Sequence, residues 1–181
     1  MRAAAFLASL ITLLNLCCSG SEIQQRRVQV DPDTGTIQPH PPIDVEPSDS
    51  AQVSLSASEK RFAELVNEHR KKVGCPPLQI NEKLQKLATN HSRDMAARDF
   101  FSHTNPDGQS PFDRMKSAGI RYSWAAENIA YGQRTATEVL NSWLNSSGHR
   151  QNIENCKLRE HGIGHYSATN HWTHVFATIR Q

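Results

Sequence analysis

The sequence predicts an α+β domain in which helices come first and a buried antiparallel strand pair comes last. Between residues 56 and 144 apolar residues recur at helical spacing behind clear N-cap signals. Beyond Cys156 the pattern switches to strand-like alternation across a short polar turn. In the last strand the odd positions (His171, Thr173, Val175, Ala177, Ile179) and the even ones (Trp172, His174, Phe176, Thr178) both carry apolar bulk. A strand of that composition is usually covered on both faces.

Residues 1–20 read as a secretory signal peptide. Met1-Arg2 precedes an apolar run over residues 3–16, too short to span a bilayer, and small residues end at Gly20. The alternative is a membrane-anchored lipoprotein acylated at Cys17 or Cys18, although Asn15 and Leu16 fit a lipobox poorly. Residues 21–57 carry five of the nine prolines (Pro32, Pro39, Pro41, Pro42, Pro47) and almost no aromatic residue. Such a segment cannot bury enough apolar surface to offset its ordering entropy, so a disordered linker is expected, followed by one domain over residues 58–181. The formal net charge of +2 comes from interspersed acids and bases, which excludes the clustered cationic footprint of a nucleic-acid binder.

The first helix starts at the capping box Ser56-Ala57-Ser58-Glu59, carries Phe62, Leu65, Val66, His69 and Val73, and stops at Gly74. A second starts near Asn81, with Leu84, Leu87, Ala88, His91 and Met95 as its inner stripe. Ser110-Pro111-Phe112-Asp113 supplies an N-cap, a proline at N1 and an acid at N3 for a short helix that turns Phe112 and Met115 inward. Thr135-Ala136-Thr137-Glu138 launches a fourth, burying Val139, Leu140, Trp143 and Leu144 before Ser146-Ser147-Gly148 breaks it. Strands follow from His161 to Tyr166 and from His171 to Arg180.

Outside the leader only Cys75 and Cys156 remain, and in an exported chain an even pair favours a disulfide over two inert thiols. Nine histidines are many for this length, and imidazole is both the commonest metal ligand and the side chain that titrates near neutrality. No HExxH, CxxC or EF-hand loop accompanies them. His69 and His91 read as hydrogen-bonded core residues, and His161 with His165 as the polar edge of a strand. His103 and Glu127 instead stand in what read as loops between aromatic or apolar anchors, where binding chemistry tends to gather.

The segments VNEHRKKVGCPPL, FFSHTNPDG, AAENIAYG, WLNSSGHRQNI and HWTHVFA, in this order, resemble the CAP superfamily (the SCP/TAPS domain) in its bacterial form, over about residues 58–179. The resemblance implies a three-layer α-β-α sandwich with a central antiparallel sheet. It also implies a cleft of two histidines and two glutamates, with the histidine pair able to hold a divalent metal such as zinc. His103 matches the first histidine, Glu127 the first glutamate and His171 the second histidine. Three positions after Trp143, where the second acid belongs, stands Ser146. His149 is placed either to replace that acid at the cleft rim or to pack the short helix that begins there.

Acid-base catalysis by paired carboxylates therefore lacks one member. A weak zinc site at His103 and His171 and a hydrogen-bonded His-Glu-His network remain as two readings of the cleft. The function expected is that of an exported, monomeric binding module whose extracellular ligand is a metal, a lipid or sterol, or an envelope component. The alternative is a hydrolase of an envelope polymer, peptide or ester. Trp124, Tyr131, Tyr166 and Trp172 are the candidates for an apolar groove.

Overall fold

Ser56 accepts from the backbone of Glu59 while the Glu59 carboxylate accepts from the backbone of Ser56, so helix α1 (Ala57–Lys72) opens on the capping box its sequence spells. The computed structural model describes residues 54–180, and the leader and most of the linker read from the sequence lie outside the described residues. After α1 come strand β1 (Gln79–Ile80), helix α2 (Glu82–Ala97), helix α3 (Pro111–Ser117) and strand β2 (Tyr122–Tyr131). Helix α4 (Ala136–Leu144), helix α5 (Ser147–Ile153), strand β3 (Glu160–Tyr166) and strand β4 (His171–Ile179) complete the chain. The caps at Asn81, Ser110 and Thr135 all form, although at Thr135 the Glu138 carboxylate accepts from the backbone of Arg134 and not of Thr135, so that cap is one-sided where the sequence reads as a capping box.

The sheet has the order β1-β3-β4-β2. Its long pairings, β3 with β4 and β4 with β2, are antiparallel, and the two-residue β1 adds a parallel edge beside β3 that the sequence reading did not contain. Side chains alternate between two cores. On one face Val175 and Ala177 pack with Leu84, Ala88, Met115 and Ile120, the layer of α2 and α3. On the other, Trp172 and Phe176 pack with Phe62, Val66, Val139, Leu140, Trp143 and Ile153, the layer of α1, α4 and α5. This is the three-layer arrangement that a strand with two apolar faces requires.

Helix α2 lies directly on the backbone of β3. A Cβ built on Gly162 would come within 2.1 Å of backbone atoms of Leu84 and Gln85, and one on Gly164 within 2.3 Å of the Ala88 carbonyl. At that distance the Gln85 side chain pairs with both the N–H and the C=O of Ile163, and the Ser92 hydroxyl reaches the Gly164 carbonyl at 3.0 Å. Buried polar groups on this helix are thus satisfied by the strand they cover.

Cys75 and Cys156 are disulfide-bonded. Beside them Arg70, fully buried, donates to four backbone carbonyls: Pro76 (2.9 Å), Ile153 (2.6 Å), Asn155 (3.1 Å) and Leu158 (3.1 Å). It stands on the inner stripe of α1 with Phe62 and Val66, whereas Val73 is exposed and His69 is half-buried against Glu154. Phe112 points out, 47% exposed against the rim of Tyr122, and the buried residues of α3 are Pro111 and Met115. Proline at N1 fixes the start of α3, and the short helix then has room for one inward apolar residue per turn.

Candidate functional site

Strand β2 forms one edge of the sheet, and Glu127 is its sixth residue. The sequence reading of a loop here is corrected. β2 carries small or apolar residues on both faces, so it shows no alternation to read, and its acid resembles an interruption. The Glu127 side chain is only 2% exposed and its charge is met on both oxygens. Arg114 of α3 donates from Nη2 to Oε2 at 2.7 Å, and His103 Nδ1 lies 2.9 Å from Oε1. A carboxylate accepts only, so His103 Nδ1 carries the proton in that pair, which leaves Nε2 on a ring that is half exposed.

The loop that carries His103 is fixed from two sides. Arg114 Nη1 donates to the His103 carbonyl at 2.8 Å, and His91 Nε2 donates to the Ser102 carbonyl at 3.0 Å. His91 is buried on α2, and burial holds its pKa below the ordinary histidine value, so the ring is a neutral strut. The core assignment of His91 therefore holds, and its partner is the loop of the site.

Asn128, the next residue on β2, faces the other layer and is fully buried. It donates to the His149 carbonyl at 3.1 Å and accepts from Asn152 at 2.8 Å, which seats α5 against the edge strand. His149 Nδ1 pairs with Ser146 Oγ at 2.8 Å, and its ring stacks on Trp143 at 6.3 Å. Burial and then the charge of His103 press the His149 pKa below its ordinary value. His103 comes from the α2 side of the edge and His149 from the α5 side, with Nδ1 engaged on each ring.

His171 stands elsewhere on the same strand pair. It is opposite Tyr131 in the register, whereas Glu127 is opposite Val175. Four residues of strand, about 13 Å, separate those positions. The ring of His171 lies 4.5 Å from Tyr131 and 6.5 Å from Phe101, and its Nδ1 pairs with Thr169 Oγ1 at 2.7 Å. Thus the structure joins His103 to Glu127, orients His149 through Ser146, and sets His171 against Tyr131 and against Phe101 of the His103 loop. Arg114 and Asn128 were not singled out from the sequence. For Asn128 a signal existed, two adjacent polar residues within an apolar run, but for Arg114 there was none, since it reads as a solvent-facing helix charge.

A model of the cysteine-rich secretory protein family, CAP, matches residues 63–179. The chain belongs to this family. Among relatives, it is 48% identical over 127 residues to the uncharacterized protein YkwD of Bacillus subtilis (strain 168), covering 70% of this chain and 49% of that one. It is also similar to the uncharacterized membrane protein YlbC of the same organism, at 33% over 109 residues, covering 60% and 32%. The chain thus spans half or less of the length of these relatives. Of solved structures, an extracellular protein containing a SCP domain from Bacillus anthracis str. Ames superposes with a TM-score of 0.64 at 30% identity, covering 67% of this chain and 40% of that chain. An outer surface protein from Borrelia burgdorferi, at 21% identity and a TM-score of 0.65 over 71% and 97% of the two chains, shares the fold.

Zinc, which CAP membership suggests, asks for three or four nitrogen, sulfur or oxygen donors. Among the described residues no group of three or more His, Cys, Asp or Glu side chains is placed to hold a metal ion. Both Glu127 oxygens are already committed to Arg114 and His103, so His103 and Glu127 by themselves do not fit a resident zinc. His161 and His165 provide none either: β3 is an interior strand, not a polar edge, and His161 is fully buried with its Nδ1 3.0 Å from His174 Nε2. Nor do the four aromatics form one groove. Trp172 is fully buried, Trp124 lies under Lys157 at 4.0 Å, and Tyr131 belongs with His171. Among the described residues no helix is long and apolar enough to cross a membrane.

Proposed function

We propose that the chain is an exported CAP-domain binding module that holds its ligand at the β2 edge, between His103 and His149. The observation that carries this reading is the commitment of Glu127. A general base needs a lone pair within reach of a substrate proton. Here one carboxylate oxygen is closed by Arg114 at 2.7 Å and the other by His103 at 2.9 Å, in a side chain 2% exposed. The carboxylate positions His103 and the ligand meets imidazole. With Nδ1 donating to Glu127, His103 offers Nε2 as an acceptor, whereas the Ser146 hydroxyl can donate to or accept from His149 Nδ1, so His149 Nε2 serves as donor or acceptor. The matching ligand brings hydroxyl or amide donors, as envelope components do.

Export is supported by the apolar run over residues 3–16, by the disulfide, and by likeness to an extracellular protein. Fractionation of the native host should recover the chain outside the cytoplasm with Cys75 bonded to Cys156. Anchoring through Cys17 or Cys18 would instead leave it with the membrane.

Calorimetric titration with zinc near neutral pH tests the edge itself. Only weak uptake is expected, lost in His103→Ala and in His149→Ala and kept in His171→Ala. Tight zinc binding that His171→Ala abolishes would overturn the assignment of the edge. Hydrolysis of an ester or peptide panel that Glu127→Gln abolishes would favour the enzyme instead.

A further inference from the structure

Among the described residues the sheet has two edges, and they differ. β1 ends it with two residues, whereas β2 ends it with ten and carries neither lysine nor proline, residues that ordinarily blunt an edge. The ladder shows which backbone groups of β2 look outward. Arg159 donates to the Ala177 carbonyl at 3.1 Å, so Ala177 and its alternates on β4 turn their backbone toward β3, while Phe176, His174 and Trp172 turn theirs toward β2. Their register partners Ala126, Asn128 and Ala130 complete that ladder, which leaves the N–H and C=O of Ala125, Glu127 and Ile129 facing away from the sheet. Trp143 Nε1 donates to the Ile129 carbonyl at 3.2 Å, which fixes the direction independently and marks where α4 begins to cover the edge. Ahead of that point Ser123 and Trp124 are exposed and Ala125 and Ala126 half-buried, and among the described residues no backbone group pairs with Ala125 or Glu127 from outside.

The surroundings of this stretch are basic. Lys116, Arg121 and Arg180 line a hollow beside Tyr122, and Arg150 and Lys157 line another beside Trp124, with the Lys157 ammonium 4.0 Å from the indole centre. Among the described residues none of these five cations joins a salt bridge. Two acids stand against them, Asp113 held in the Ser110 cap and Glu154 bound to His69 at 2.9 Å. A second copy paired edge to edge would set this basic rim against itself, and like charges oppose that arrangement. An acidic strand from another chain meets both the charge and the unpaired backbone groups.

We propose that β2 takes an extended acidic peptide as a fifth strand, paired through the backbone of Ala125 and Glu127, its carboxylates met by Arg121, Arg150 and Lys157. In recognition of this kind main-chain hydrogen bonds supply affinity and alternate side chains supply specificity. The imidazoles of His103 and His149 provide none of these contacts, so the proposal stands whether or not they hold a ligand.

The probe is the peptide acetyl-Glu-Val-Asp-Val-Glu-amide, titrated into the nitrogen-15-labelled full chain and followed by amide NMR and hydrogen exchange. Saturable shifts are expected at the amides of Ala125 and Glu127, with exchange at both slowed at least about tenfold in the bound state. Methylating the three central nitrogens of the peptide blocks both of its edges, and replacing its acids by lysine reverses its charge; either change should weaken binding at least about tenfold. Ala125→Pro removes an outward N–H that the ladder to β4 does not use, and Arg150→Gln/Lys157→Gln removes two exposed charges. Each should weaken the parent peptide by a similar factor, while His103→Ala and His149→Ala should leave it unchanged. A methylated peptide that binds as tightly as the parent would reduce the site to charge alone and overturn the proposal. So would protection of Ala125 and Glu127 that rises with chain concentration in peptide-free solution, since the edge would then belong to a second copy.

Discussion

Glu127 and Arg114 form a pair that is 2% and 11% exposed, so each charge depends on the other. Desolvation makes such a pair of little net value, yet removing one partner strands the other and costs roughly 3–5 kcal/mol. Arg114→Leu should therefore destabilise the domain by about 3 kcal/mol, and Arg114→Leu/Glu127→Leu should recover much of that loss. Urea denaturation of the two variants reads both numbers; a single variant costing under about 1 kcal/mol would show that the carboxylate is solvated. The same geometry explains why the residues of this edge were only half legible. His103, Glu127 and His149 could be singled out because imidazole and carboxylate in apolar surroundings are chemically conspicuous. Arg114 could not, because a lone arginine on a seven-residue helix looks like any surface charge until α3 is folded against β2.

At the scale of elements, helices announce themselves through their ends and strands through their faces, and the two signals fail differently. Ser56, Asn81, Ser110 and Thr135 are local caps, so α1 to α4 could be placed without tertiary information. β2 was missed because both of its faces are partly buried, and β1 because two residues cannot show a period. Gly162 and Gly164 are a third kind of case. Strand alternation assigns them to the face opposite His161 and His165, but the reason for glycine there is the backbone of α2, a tertiary fact. Backbone cannot move aside as a side-chain tip can, so Gly162→Ala or Gly164→Ala must push the helix off the sheet. Overpacking of this kind costs about 1–3 kcal/mol or more, and the two alanines together should abolish cooperative thermal unfolding. A variant Gly164→Ala that melts within a degree or two of the parent would show that α2 has slack on β3.

Across the whole molecule, two devices close the same long loop. The disulfide joins positions 81 residues apart, and Arg70 ties the segments on either side of it through the carbonyls of Pro76, Ile153, Asn155 and Leu158. Chain entropy alone assigns such a crosslink about 4–5 kcal/mol. Cys75→Ala/Cys156→Ala should lose about that much in urea and yet fold, because Arg70 holds the geometry; failure to fold would make the disulfide the sole closure. Acid acts on the same core from another side. Burial pushes His161 down to about 3 and drives its partner His174 well below the ordinary 6.5, with the nearby Arg70 charge adding to both. Between pH 6.5 and about 3 the unfolded chain therefore binds protons that the native state refuses. Stability is full above pH 6.5 and falls as pH drops, by about 1.4 kcal/mol per pH unit for each such ring. Burial lowers His91, His149, His165 and His171 as well, so their contributions carry the same sign. Urea midpoints measured at pH 7.5, 5.5 and 4.5 should decline steadily, and His161→Gln should flatten the decline whatever it does to stability at pH 7.5. A parent slope matched by that variant would mean that the buried pair does not govern acid unfolding.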